Sequence, residues 1–549
     1  MQSYPLDITR IPFSCRRSRC MVFYEDKGAP LDAENGLYLS QSTEGMLGGG
    51  AQFYRNKDYL LLTPEKEGKP LEYTWGATTS GVRMLTGEGE LSMTFAGDGS
   101  LRIFGDGPAL LITAKMGFGD VAEKKGETAE IRMDGTSFTM IPVTGSVTVD
   151  SHYDLLTYRY TDPVIRFLPD NGKLEIAVFD RSFDGAVRES RPFAECRAET
   201  EEAFAAFRKK LTGTEDACVE ESYSLWIGPK AFPGFEGDVY PSNVITAVYP
   251  RAAEQPVLSL AFRDTDEAFG LITKFAPFIT KGGLLPEQAS GSRRLYQTAS
   301  MDHGLAVLEL LANGEPSEEQ CRKLYDMLAT VDEWWVRNRS SDGGISFFYA
   351  FRYESGSVSD GIFSAGTPVT APDLAARMVL QAEALSRLAD RIGLTEAAER
   401  WQKAAEGRLG YLKENLWKDG RFAARTAEGV AGGVSALCCV PAILGPRLPE
   451  DMRQALAETL TGELLIPGRG IRTGAGETDT VLTCLLAAGL IAGGQRDAGE
   501  KLLEAVAEAE KAFGLAATYP ETGEADCRCA GQYTPAVCAA KLYADSKSR

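Results

Sequence analysis

Histidine is almost missing from this chain: its 549 residues include two, His152 and His303. With so few imidazoles, neither a Ser-His-Asp triad nor a histidine-ligated metal has much to be built from. Doubled CxxC pairs are missing as well. The 11 cysteines are scattered, with Cys438 next to Cys439 and Cys527 two positions before Cys529. Neither spacing suits a structural zinc site, so these thiols read as free, buried side chains of a protein in a reducing cytoplasm. No metal and no cofactor is called for. Long apolar runs are lacking too. LLAAGLIAGG at 485–494 is too short and glycine-rich to span a bilayer. The opening MQSYPLDITRIPFSCRR has no apolar core of the length a secretory signal needs. Positive charge is scarce, with 58 Lys and Arg against 77 Asp and Glu and a net charge of -19. An acidic surface repels nucleic acid and anionic lipid, which argues against both as partners.

What the chain does have is the composition of a soluble globular protein, 44% hydrophobic and 25% charged. Its length exceeds what one core supports, so at least two domains are expected. Residues 1–197 read as β. CMVFYE (20–25), YLLLT (59–63), LSMTFAG (91–97), SLRIFG (100–105), SFTMIPV (137–143) and KLEIAVFD (173–180) are short apolar runs. Turn signals such as GDGS and PDNG separate them, which is the pattern of a β-sandwich or barrel. Residues 198–215 read as a helical linker, led by the amphipathic AETEEAFAAFRKKL. Residues 216–549 read as serial helices, among them EEQCRKLYDMLATVDEWWVRN and QRDAGEKLLEAVAEAEKAFG. Loops holding Gly, Asp and aromatics lie between them. Periodicity alone leaves a closed toroid of α-hairpins and an open α-solenoid both standing.

Several segments decide for the toroid. YSLWIGPKAFPGFEG (223–237), VDEWWVRNRSSDGG (331–344) and ESGSVSDGIFSAGTPVTAPDLAARMVLQAEAL (354–385) occur in that order, with TYPETGEADCRCAGQYTPAVCAA (518–540) last. Together they resemble the six-hairpin glycosidases, in particular the bacterial trehalase-like and oligosaccharide glucosidase-like branch. Phe363, Gly366, Pro368, Val369, Pro372, Asp373 and Leu374 fall on that family's landmarks without a gap. The resemblance implies an N-terminal antiparallel β-sandwich followed by an (α/α)6 barrel. It also implies inverting hydrolysis of a glycosidic bond, with small α-linked oligosaccharides as the substrate class.

Inversion needs a carboxylic acid to protonate the leaving oxygen and a carboxylate to activate water on the opposite face, about 6.5–9.5 Å apart. The family places the acid in an ESG-Trp-Asp loop. In the gapless register Ser357 takes the Trp position and Val358 the Asp position. The family's base, seven residues before the Gly of the last loop's Thr-Gly, falls on Ala516. Neither side chain transfers a proton. The nearby carboxyl groups are Asp360 and Glu354 on the acid side and Glu521, Glu524 and Asp526 on the base side, with Glu477 a further candidate. The family's Trp-x-Trp-Asp sugar platform maps to Tyr249, Arg251 and Ala252.

Framework positions therefore match where chemical positions do not. The favoured expectation is a catalytically silent member that binds a glycan and works alone, as an oligomer or beside an active paralogue. The competing expectation is an active inverting glycosidase using Asp360 with Glu521 or Glu477. Tyr249, Arg251, Asp302, His303, Tyr353 and Tyr519 are the candidate sugar-binding residues, since rings stack on sugar faces and polar groups hold hydroxyls. Trp334 and Trp335 read instead as core at the end of an amphipathic helix.

Overall fold

The structure, a computed structural model, describes residues 3–25, 35–41, 59–133, 136–180, 191–211, 219–232, 234–240, 248, 257–259, 264–290, 293–295, 298, 302–431, 433–474, 476–524 and 535–548. They divide by contact into two compact units, the first within Met1–Phe232 and the second formed by residues after Phe232.

The first unit carries two antiparallel sheets. One runs in the order Cys20–Glu25, Gly36–Gln41, Leu60–Lys66, Ala109–Thr113, Val164–Leu168 and Ser146–Asp150, with Lys69–Pro70 paired to the third strand. The other runs Val121–Lys125, Thr128–Met133, Thr136–Thr144, Lys173–Phe179, Leu101–Asp106, Gly89–Phe95, Gly81–Thr86 and Tyr73–Thr78. Successive side chains point to opposite faces of a strand, so alternate residues make the core. Leu60, Leu62, Leu91, Met93, Ile103, Leu110, Ile112, Ile165, Phe167, Ile176 and Val178 are all buried. Strand Val121–Lys125 and its neighbour Thr128–Met133 are charged on one face, and there Ala122, Ala129, Ile131 and Met133 supply the buried one.

Helix α1 (Phe193–Leu211) packs on strand Gly89–Phe95, and helix α2 (Val219–Ile227) packs on α1. Phe204 of α1 meets both Tyr223 and Trp226 of α2 at centroid distances of 5.4 Å. The Tyr223 hydroxyl donates to Ser14 O at 2.8 Å, and the Lys230 ammonium donates to Ser14 Oγ and Cys15 O at 3.3 Å. Burial pulls the Lys230 amine down to about 8. YSLWIGPK thus anchors the start of the chain and sits by contact in the first unit.

The second unit pairs a buried helix with an amphipathic one along the chain. Helix α3 (Thr265–Thr273) is followed by α4 (His303–Asn313) with α5 (Glu318–Arg339), then α6 (Pro372–Arg391) with α7 (Thr395–Asn415). A short helix α8 (Ala436–Cys439) runs into the 3-10 segment Val440–Arg447 and precedes α9 (Glu450–Thr459). Last come α10 (Thr480–Ala492), α11 (Arg496–Phe513) and α12 (Pro535–Ser548). In α5 a Ser317–Gln320 capping box opens the helix, and Cys321, Leu324, Leu328, Val331 and Trp335 bury one stripe. In α10 nearly every side chain from Thr480 to Ile491 is buried, so it is an inner helix.

The inner helices touch in sequence: α4 on α6, α6 on 440–447, 440–447 on α10, and α10 on α12. Tyr543 and Lys547 of α12 then reach Glu309 of α4 at 2.8 and 2.9 Å, which closes the circuit. Glycine sets the spacing at two crossings. A Cβ on Gly304 would lie 2.5 Å from Gln381 N, and one on Gly489 would lie 2.4 Å from Ala442 O. His303-Gly304 is therefore a packing motif at its second residue. Across the hairpins, Arg408 of α7 makes a fully buried double hydrogen bond to Asp332 of α5, both at 2.8 Å. The same guanidinium donates to Met378 O of α6 and Gly344 O, and lies over the Phe347 ring at 4.8 Å.

Removing one partner leaves a buried charge uncompensated, so Asp332→Ala should cost about 3–5 kcal/mol in urea unfolding. The apolar pair Asp332→Leu with Arg408→Met should recover most of that loss. A single-variant loss below about 1 kcal/mol would show that the pair is not a framework element.

Candidate functional site

The described polar residues singled out in the sequence lie in or beside the loops that lead into the inner helices. The loop between α5 and α6 comes first. Its base is a two-residue bridge in which Tyr349 and Val369 exchange backbone hydrogen bonds at 2.8 and 3.0 Å. The Tyr349 hydroxyl then donates at 2.6 Å to Asp373, in the first turn of α6. Both residues are fully buried. A carboxylate in a first turn suits the positive end of a helix.

Glu354, at the ESG position, is 1% exposed. Its Oε1 accepts from Arg339 Nε at 2.9 Å, and its Oε2 accepts from Ala350 N at 2.8 Å and Phe351 N at 3.4 Å. It ties the loop to the end of α5. Gly356 follows at φ 70°, in the left-handed region, so the chain turns there at little cost. Val358 is 38% exposed.

Asp360 is 4% exposed, and its carboxylate serves two helix starts. Oδ1 accepts from Ile362 N at 3.1 Å, capping the short turn Gly361–Phe363, and from Ser435 Oγ at 2.6 Å. Oδ2 faces Leu437 N at 3.4 Å, in the first turn of α8, which Ser435 itself caps. Burial, and then the Asp360 charge, push the Cys438 thiol up to about 12. Burial and the adjacent Cys438 raise Cys439 as well, so neither thiol is a ready nucleophile. All described cysteines are buried and free of disulfides.

The base-side residues belong to a small sheet ordered Leu465–Ile466, Gly470–Arg472, Glu477–Asp479 and Thr518–Pro520. It pairs Glu477 with Pro520 and Thr478 with Tyr519. Glu477 is exposed. Glu521, just past the last strand, accepts from Arg472 at 3.1 Å and is half-buried. Tyr519 is fully buried: its hydroxyl donates to Gly514 O at 2.7 Å and accepts from Ala516 N at 3.1 Å. Ala516 packs beside it, also fully buried. Gly474 brings this sheet against the acid-side loop, since a Cβ there would lie 1.7 Å from Ser359 O and 2.8 Å from Asp360 Cα. The loops bearing Asp360 and the two glutamates are therefore neighbours.

Asp302 begins α4 and pairs with Arg377 of α6, both almost fully buried. His303 is 2% exposed. Tyr353 and Phe351 are 50% and 58% exposed, with the Arg352 guanidinium 5.6 Å from the Tyr353 ring centre. Trp334 and Trp335 are core, as their helical spacing indicates. Tyr249, Arg251 and Ala252 lie outside the described residues. Sequence reasoning missed Arg377, Arg339 and the Asp332–Arg408 pair. Arg377 follows Asp373 by one helical turn, which is the signal that could have found it. Among the described residues no cluster of His, Cys, Asp and Glu could hold a metal, and no helix is long and apolar enough to cross a membrane.

No protein-family model matches the chain, and no curated protein matches it in sequence. Among solved structures, a bacterial glucoamylase complexed with acarbose is similar over 100% of this chain and 95% of its own, with a TM-score of 0.63 and 11% identity. The fold is that of the six-hairpin glycosidases with an N-terminal β-sandwich. A GH63 mannosylglycerate hydrolase from Thermus thermophilus, in complex with Tris and D-glycerate, is similar over 54% of this chain and 93% of its own, with a TM-score of 0.46 and 14% identity. An uncharacterized conserved protein from the same organism covers 62% of this chain and 98% of its own, with a TM-score of 0.47 and 13% identity. The six-hairpin frame thus carries Asp360 as a helix-capping anion. Asp360→Asn should lower stability by about 1–2 kcal/mol in chemical denaturation. Unchanged stability would mean that the carboxylate is not needed for the cap.

Proposed function

We propose that this protein binds a small carbohydrate on a glycosidase frame and has lost the usual inverting hydrolysis. One observation carries the reading. The carboxylate nearest the acid position, Asp360, is buried and committed to Ser435, Ile362 and Leu437, while the base position is the buried Ala516. An acid must hold a proton over the leaving oxygen, and a side chain already accepting hydrogen bonds in a helix cap has to break them first. Glu354 is held in the same way by Arg339 and backbone amides. The exposed rings of Phe351 and Tyr353, with Arg352 between them, offer the stacking surface for the sugar. The acarbose bound to the similar glucoamylase supports an oligosaccharide as the ligand class by fold analogy alone. The buried cysteines, which form no disulfide among the described residues, support a reducing cytoplasm. Oligomerisation or pairing with an active paralogue is part of the same proposal, since a silent binder acts through what it holds.

A second reading has an observation of its own. Gly474 sets the sheet bearing Glu477 and Glu521 against the Asp360 loop. An active enzyme would use Asp360 as acid and one of those glutamates as base. The test is a hydrolysis screen on α-linked disaccharides with Asp360→Asn in parallel. No sugar release, with ligand-dependent thermal stabilisation by one of the same sugars, is the expected outcome. Release that falls by about 100-fold or more in the variant would establish the second reading instead.

A further inference from the structure

The first unit holds a groove that the barrel loops do not explain. It lies on the sheet face that α1 leaves open beyond Phe193 and encloses about 940 Å³, counting space open to solvent. Strand register builds its floor. Glu90, Asp106 and Lys173 stand opposite one another across three strands, and Ser92, Phe104 and Glu175 form the next row. Residues two apart on a strand share a face, so both rows point into the groove. Phe193 closes one end, with its ring 5.3 Å from that of Phe104 and nearly perpendicular to it.

We infer that this groove is a second carbohydrate site, for a short neutral oligosaccharide, separate from the barrel. The charges argue for a neutral ligand. Lys173 is paired with Asp106 at 2.8 Å, Glu175 with Arg102 at 3.3 Å, and Arg191 with Glu199 at 2.7 Å. An ion entering the groove would have to break one of these pairs. The rings argue for a sugar, because the half-buried faces of Phe104 and Phe193 suit the C–H face of a pyranose. One polar group stands ready to hold it. Ser92 is 4% exposed, and its hydroxyl makes no hydrogen bond among the described residues. Buried hydroxyls are nearly always bonded, and a sugar hydroxyl can donate to it and accept from it at once. Glu90, half-exposed at the rim and without an ion pair among the described residues, adds an acceptor.

The experiment is hydrogen exchange of the full chain with and without maltotriose, cellotriose and mannotriose, followed by calorimetric titration with any sugar that protects. The expected result is slowed exchange in 89–95, 101–106 and 173–179, with affinity weakened about tenfold in Ser92→Ala. Glu90→Gln should keep part of the affinity, since an amide oxygen still accepts. Protection confined to 340–371, no protection by any of the three sugars, or an unchanged affinity in a stably folded Ser92→Ala would each overturn the inference. Because the readout is local to the sandwich strands, it stands or falls apart from binding at the barrel.

Discussion

Arg408 is the side chain on which the second unit depends. One guanidinium supplies donors to Asp332 of α5, to a carbonyl of α6 and to the loop at Gly344, while its face covers Phe347. Three consecutive helices and the first loop at the helix N-termini are fixed through it. A planar, permanently charged fork can do this where an ammonium could not. Burying such a pair costs desolvation, so its gain is geometric: it admits one packing of α5, α6 and α7 and sets where the 340–371 loop starts.

From that point the loop is built by carboxylates. Glu354 gathers Arg339 and two amides, Asp373 takes the Tyr349 hydroxyl, and Asp360 caps a turn and the start of α8. Each sits where a helix start or a cluster of N–H groups favours negative charge. The same physical logic that makes helix N-termini good places for catalytic acids makes them good places for structural anions. A carboxylate that already accepts from several neighbours suits a cap, and must break those bonds before it can serve as a proton donor. In this chain the framework takes up Glu354, Asp360 and Asp373.

Much of the fold was legible. Strand runs such as CMVFYE and KLEIAVFD lie on observed strands, because apolar alternation and turn residues are local signals. The strands at 121–125 and 128–133 escaped notice, since VAEKK and TAEIRM show charge first and bury only small or alternate residues. The toroid was legible only through ordered motifs, as helical periodicity cannot say which helices are inner. The candidate site was partly legible. Asp360, Glu477 and Glu521 are the carboxylates that the family resemblance singles out, and Gly474 shows their loops to be neighbours. The commitments of Asp360 and Glu521 were not legible, because Ser435 and Arg472 are far from them in sequence and meet them only through packing. Tyr519 was a reasonable ring to propose beside a sugar, yet its hydroxyl is committed to Gly514 and Ala516 one turn back. Its neighbour Ala516 is fully buried beside it, so that stretch packs inward.

The most direct test of this account is a crystal structure of the protein soaked with an α-linked disaccharide. The account predicts an intact sugar near Phe351 and Tyr353, with the Asp360 carboxylate still on Ser435 and Leu437 and away from the glycosidic oxygen. An Asp360 carboxyl hydrogen-bonded to that oxygen, with water held by Glu477 or Glu521 on the opposite face, would contradict it.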